Sequence, residues 1–305
     1  MSEKYTEEMK NHFLAMAGMM KKINREIPVS GERFDIPAEG REIPVVYYAA
    51  KSEKAPLILG FHGGGFLFGG NALNDAMWKT VSDSLDVSVA SIGYRKSPDY
   101  QFRAALEDCL EALRYFRKHA EKHGIDPERI AAMGCSAGAN LAATLSIYAK
   151  QQGEAPFWKQ IMIYPVVDMY TDPEEKGNGT LAQPLQYLFN DLHSTAEEAK
   201  LPIVSPLFAS QEELRGLPDA VICTAELDSL KPETEQYADM LRQAGVGVDL
   251  LSAENMPHGF FEVGFGNVSD AEIEVLGPEI AECVKNGSAA KVSAKILAEI
   301  GKYIS

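Results

Sequence analysis

Met133 to Gly138 reads MGCSAG, a serine with a glycine two residues to either side. A serine hydroxyl is a weak nucleophile. It attacks a carbonyl only with a base in reach, an acid to orient that base, and donors for the oxyanion that forms. Each of these parts has a candidate elsewhere in the chain. Phe61 to Phe66 reads FHGGGF, and three consecutive glycines bring backbone N–H groups close to a reacting atom. His62 precedes this loop and reads as a residue that orients it rather than as the base. Of the six histidines, His258 in ENMPHGFF follows a strand-like run, so it falls on a strand-end loop. His12, His119, His123 and His193 fall in helical stretches or in an insertion. Asp228, in CTAELDSLKPE, ends another strand-like run and could hold the imidazole in one tautomer. Asp168 also ends a strand and is its rival. The order Ser, Asp, His and the adjacent strands favour Asp228.

These residues need a scaffold that brings strand ends together. EIPVVYYAA, APLILGF, VSVASIGYR, RIAAMGCS, KQIMIYPVV, DAVICTAELD and VGVDLLSAE read as seven strands, several of them unbroken apolar runs. Amphipathic helices alternate with them, as in residues 104–124 and KPETEQYADMLRQAG. This alternation means a mostly parallel sheet covered by helices on both faces, with ligands bound beyond the carboxyl ends of the strands. The serine sits between RIAA and ANLAATLSIYAK, a strand-to-helix turn that would expose it. An amphipathic helix carrying Phe13, Leu14, Met16, Ala17 and Met20 precedes the sheet. Residues of about 168–215, rich in proline and glycine, read as an insertion over the sheet's carboxyl edge.

The chain has 305 residues and a formal net charge of −15. Such a length suits one α/β domain with insertions. The acidic balance argues against nucleic acid and anionic membrane surfaces as partners. The four cysteines are scattered, without CxxC, and read as free thiols of a reducing cytosol. No His or Cys spacing suggests a metal, and no apolar run reaches the 18 or so residues of a membrane span. A soluble, cytoplasmic protein without cofactor is expected.

HGGGF, GYRKSPDYQFRAALEDCLEALRYF, GCSAGANLA, DSLKPETEQYADMLRQAGVGVDL and MPHGF together resemble the hormone-sensitive-lipase-like carboxylesterases of the α/β-hydrolase fold. The resemblance runs from Leu57 to Phe261. It implies Ser136 as nucleophile, His258 as base and Asp228 as orienting acid. It implies an oxyanion hole from the N–H groups of Gly64, Gly65 and Ala137. It also implies a single hydrolase domain over 1–305, with a lid from about 1–45 and 168–215, and a homodimer by family habit. Cys135, Ala139, Gly93 and Pro232 depart from the usual family residues without removing a catalytic group. The segment of about 265–290 is enlarged and is expected on the lid side or at an oligomer contact. The implied reaction is hydrolysis of short-chain acyl esters, acetyl included, through an acyl-enzyme. A peptidase or amidase would use the same triad, and a non-catalytic receptor of the same fold would typically lack the histidine retained at 258.

Overall fold

A computed structural model describes residues 4–266 and 269–304. Its single sheet contains β1 (Glu32–Ala38), β2 (Arg41–Tyr48), β3 (Ala55–Phe61), β4 (Ser88–Ile92), β5 (Ile125–Cys135), β6 (Lys159–Ile163), β7 (Ala220–Ala225) and β8 (Val248–Ala253). The spatial order is β1-β2-β4-β3-β5-β6-β7-β8. β1 and β2 pair antiparallel, β2 joins β4 antiparallel, and every later pairing is parallel. All seven residues of β3 are buried, as an unbroken apolar strand covered on both faces must be.

Helices α1 (Glu7–Glu26), α2 (Asp75–Leu85), α3 (Phe102–Lys118), α4 (Ala120–His123), α5 (Ala137–Gln151) and α6 (Gln183–His193) precede β7. α7 (Gln211–Leu214) ends the insertion, and α8 (Lys231–Gln243) links β7 to β8. α9 (Phe260–Val263), α10 (Asp270–Leu276), α11 (Pro278–Lys285) and α12 (Ser288–Ile304) complete the chain. The helix expected over 104–124 is broken at His119 into α3 and α4. One face of the sheet is covered by α3, α5 and α8 through residues such as Leu106, Leu113, Leu141 and Tyr237. The other is covered by α2, α11 and α12 through Trp78, Ile280, Ile296 and Ile300.

The expected lid boundaries need correction at two places. Residues 32–45 are not part of a lid, because β1 and β2 form a hairpin within the sheet. β1 escapes a pattern reading because ERFDIPA mixes charges with a proline, and only Ile36 is buried. It lies at the sheet edge, where charge and proline are tolerated. Ile203, Val204, Ala209 and Leu214 belong to the main core instead, packed with α3, α5 and α8. The Asn140 side chain on α5 donates to the Val204 carbonyl at 2.8 Å and fixes that segment.

A third apolar cluster joins α1, α6 and α10. Phe13 and Met16 meet Leu185, Leu188, Phe189 and Val275, together with Leu67 and Phe68 from the glycine loop. α1 starts at the Thr6 cap, whose hydroxyl accepts from the Met9 N–H at 3.1 Å, and Glu7 and Glu8 complement the helix dipole. Polar contacts tie the same helices. The Tyr5 hydroxyl donates to Asp191 at 2.9 Å, and His12 Nε2 lies 2.7 Å from Glu274. The enlarged segment of 265–290 is therefore divided. α10 joins this cluster, and α11 packs against the sheet side; residues 267–268 lie outside the described residues.

Candidate active site

β3 neighbours both β4 and β5, so the chain order reverses across it. Such a reversal opens a crevice beyond the strand ends. The FHGGGF loop leaves β3 there, and Ser136 leaves β5. Phe61 and Gly134 are register partners, so the two segments emerge side by side. Ser136 has φ 53° and ψ −117°, a strained conformation for a residue with a Cβ, costing about 1–3 kcal/mol. The Ser136 N–H donates to the Ile163 carbonyl at 2.9 Å, and its carbonyl accepts from Asn140 at 2.9 Å. The turn closes only because residue 138 is glycine. A Cβ there would stand 2.1 Å from the Phe61 carbonyl oxygen.

β7 and β8 bring the other two residues. His258 Nε2 lies 2.8 Å from Ser136 Oγ, and His258 Nδ1 lies 2.6 Å from Asp228 Oδ2. A carboxylate can only accept, so Nδ1 carries the proton and the Nε2 lone pair faces the hydroxyl. The second Asp228 oxygen accepts from the Leu230 N–H at 3.1 Å. His258 and Asp228 are both buried, and Ser136 is partly exposed. Burial pushes the His258 pKa down. The Asp228 charge and hydrogen bond push it up and prevail, so the net shift is upward.

Asp168 is not with this group. Its Oδ1 accepts from the N–H groups of Tyr170 and Thr171 at 2.8 and 2.9 Å, closing a turn. His62 is buried, with Nδ1 2.8 Å from the Gly63 carbonyl and its ring stacked on Tyr94 at 4.3 Å. Burial pushes its pKa down to about 3, which keeps it neutral within the loop. His193 is buried against Phe66 and is likewise pushed down to about 3. Among the described residues no group of three His, Cys, Asp or Glu could hold a metal ion, and no helix is long and apolar enough to cross a membrane.

A family model described as alpha/beta hydrolase fold matches residues 58–262. The arylesterase of Saccharolobus solfataricus is 32% identical over 234 residues, 74% of this chain and 75% of its own length. The ethyl acetate hydrolase of Pseudomonas putida is 32% identical over 237 residues, 74% of each chain. The solved structure of EstE1, a thermophilic carboxylesterase cloned from a metagenomic library, is similar with a TM-score of 0.73. It is 33% identical, with 92% of this chain and 96% of that one covered. The chain belongs to the hormone-sensitive-lipase-like carboxylesterases of the α/β-hydrolase fold. Carboxylic ester hydrolase is thus its enzyme class.

In this carboxylesterase the glycine loop and α6 meet directly. Gly64 and Gly65 have φ of 111° and 60°, and a Cβ on Gly65 would stand 2.4 Å from the Phe189 ring. Gly65, Phe66, Ser136, Leu181, Phe189 and Leu230 line one cavity of about 30 Å³. Lys176 lines it as well, and also lines a separate groove of about 630 Å³ running past Phe208 and Pro232. Lys176 is paired with the buried Glu233 at 2.7 Å.

Three contributors escaped the sequence reading. Thr180, in the insertion, accepts from the His258 N–H at 3.0 Å while its own N–H donates to the Leu227 carbonyl at 3.0 Å. It ties the loops of His258 and Asp228 together. The Tyr164 ring lies 4.8 Å from that of His258. Glu262 accepts from the Gly63 N–H at 3.1 Å. Of the three, only Glu262 carries a sequence signal, as a lone carboxylate in the apolar run HGFFEVGF.

Proposed function

We propose that this carboxylesterase hydrolyses short-chain esters through an acyl-enzyme on Ser136. The observation that carries the reading is the unbroken contact from Ser136 Oγ through His258 to Asp228. Ser136 Oγ attacks the carbonyl carbon and its proton passes to His258 Nε2. The carbonyl oxygen becomes an oxyanion held by the N–H groups of Gly64, Gly65 and Ala137. Collapse breaks the ester C–O bond, and His258 returns the proton to the leaving alcohol. Water then attacks the acyl-enzyme, its proton goes to His258, and the acid leaves with Ser136 restored. Asp228 holds the tautomer and stabilises the imidazolium throughout.

A short acyl group is supported by the small cavity at Ser136, closed in by Gly65, Phe66, Leu181 and Phe189. The similar Pseudomonas putida protein, named for ethyl acetate, points the same way. α1 and α6 act as the lid, since Phe189 lines the cavity and packs with Phe13 and Met16. A homodimer is the assembly proposed by family habit.

A chain-length panel of p-nitrophenyl esters, run on wild type and on Ser136→Ala, tests the reading. The wild type should favour acetate to butyrate, and Ser136→Ala should lose about 10⁴-fold or more in kcat. Activity of the variant within tenfold of wild type would remove Ser136 from the chemistry.

A further inference from the structure

Glu262 lies one helical turn beyond His258, on α9, and its carboxylate reaches back beneath the glycine loop. Its Oε1 accepts from the Gly63 N–H at 3.1 Å and from the Asn74 side chain at 2.8 Å. Its Oε2 stands 3.5 Å from the Tyr164 hydroxyl. The Glu262 N–H lies 3.4 Å from that same hydroxyl. One side chain therefore joins the loop after β3, the start of α2, the segment after β6 and the loop that carries His258. A carboxylate largely withdrawn from water is costly unless its oxygens are matched by donors. Here those donors include the first glycine N–H of the loop itself. Gly63 does not line the cavity at Ser136; its N–H is held by Glu262, while Gly65, two residues on, lines it.

We infer that Glu262 is a positioning residue. It anchors Gly63, so that the next two N–H groups stand ready for the oxyanion, and it places a second negative charge near His258. This rests on the reading of Ser136, His258 and the glycine loop given above. Two consequences separate it from a residue that only fills space. Anchoring a preset donor matters in the transition state, so its loss falls on kcat rather than on KM. A second carboxylate near the imidazole favours the imidazolium, so removing the charge lowers the pH at which His258 becomes neutral. The charge of Glu262 acts on His258 in the same direction as that of Asp228, and Glu233 adds to both. Burial raises the Glu262 pKa itself, while the Gly63 and Asn74 hydrogen bonds oppose that rise. The other titratable groups facing the pair are Glu272, Tyr94, Tyr164 and Cys135.

Glu262→Gln keeps an oxygen able to accept from Gly63 and Asn74 but removes the charge. Glu262→Ala removes both. The test is the pH dependence of kcat and KM on p-nitrophenyl acetate for these variants, wild type and Ser136→Ala, with folding followed by circular dichroism. Glu262→Ala should lose about 100-fold in kcat with KM within about threefold. Glu262→Gln should recover kcat to within about threefold of wild type at alkaline pH. Its acid limb should move to lower pH by about half a unit or more. If Glu262→Ala does not fold, Glu262→Gln alone carries the test through its pH limb. An unmoved limb in Glu262→Gln, or full kcat in a folded Glu262→Ala, overturns the inference while Ser136→Ala stays inactive. An active Ser136→Ala instead overturns the parent reading.

Discussion

His258 sits between two opposing influences. Burial disfavours its charge, and the Asp228 carboxylate 2.6 Å away favours it and prevails. In the proposed mechanism His258 must be neutral to accept the Ser136 proton, so a raised pKa moves the onset of activity to higher pH. The acid limb of kcat/KM should therefore lie above the ordinary histidine value of 6.5, which pH–rate profiles on p-nitrophenyl acetate would check. Asp228→Asn leaves burial unopposed by that charge and offers an amide that can stabilise the wrong tautomer. Its kcat should drop about 10³- to 10⁴-fold with KM little changed, and its residual activity should have a limb at lower pH. Asp168→Asn should keep kcat within about threefold, because Asp168 closes a turn with Tyr170 and Thr171; a thermal melt should read its cost, about 1 kcal/mol. The reverse pattern would transfer the role of orienting acid to Asp168. The meeting of Ser136, Asp228 and His258 was legible because each stands at a strand end, and strand ends are readable from apolar runs. Glu262 and Thr180 were not legible as partners, since their contacts span 199 and 78 residues of chain and arise only from folding.

At the scale of elements, the turn from β5 into α5 is the tightest constraint. Gly138→Ala would drive a Cβ to 2.1 Å from the Phe61 carbonyl, backbone against backbone with no flexible end to yield. Destabilisation of about 3 kcal/mol, read by chemical denaturation, is expected, together with loss of activity as Ser136 shifts. A variant as stable and active as wild type would mean that the close approach of α5 to β3 is not needed. α1 makes the opposite case. It contributes Phe13 and Met16 to the cluster with α6 and α10 and no strand to the sheet. Each such side chain is worth about 1.5–3 kcal/mol of burial at most. Deleting residues 1–24 should leave the sheet folded and change the acyl-chain preference or abolish turnover. Unchanged kinetics across the ester panel would remove the helix from the lid. The sequence showed α1 through its apolar periodicity, but it did not show how far the proposed lid extends. β1 looks like a loop because an edge strand with charges and Pro37 lacks the alternation of a half-buried one. The stretch after Leu201 looks like more insertion because its core contacts are made by scattered residues such as Val204 and Leu214.

For the whole molecule, the parallel sheet was readable because buried strands and amphipathic helices alternate along most of the chain. The order β4-β3-β5 follows from no local pattern, yet it is what sets the glycine loop beside Ser136. The proposed serine mechanism uses no metal, so a chelator should leave the rate unchanged. A rate lost to the chelator and restored by zinc would overturn the serine mechanism. The formation of a covalent bond at Ser136 can be read most directly with a p-nitrophenyl alkylphosphonate, which transfers its phosphonyl group to the attacking oxygen and releases p-nitrophenol. Intact mass followed by peptide mapping should find one adduct per chain, on the peptide that carries Ser136, and none in Ser136→Ala. Equal labelling of Ser136→Ala, or a wild-type adduct on another residue, would contradict the acyl-enzyme at Ser136.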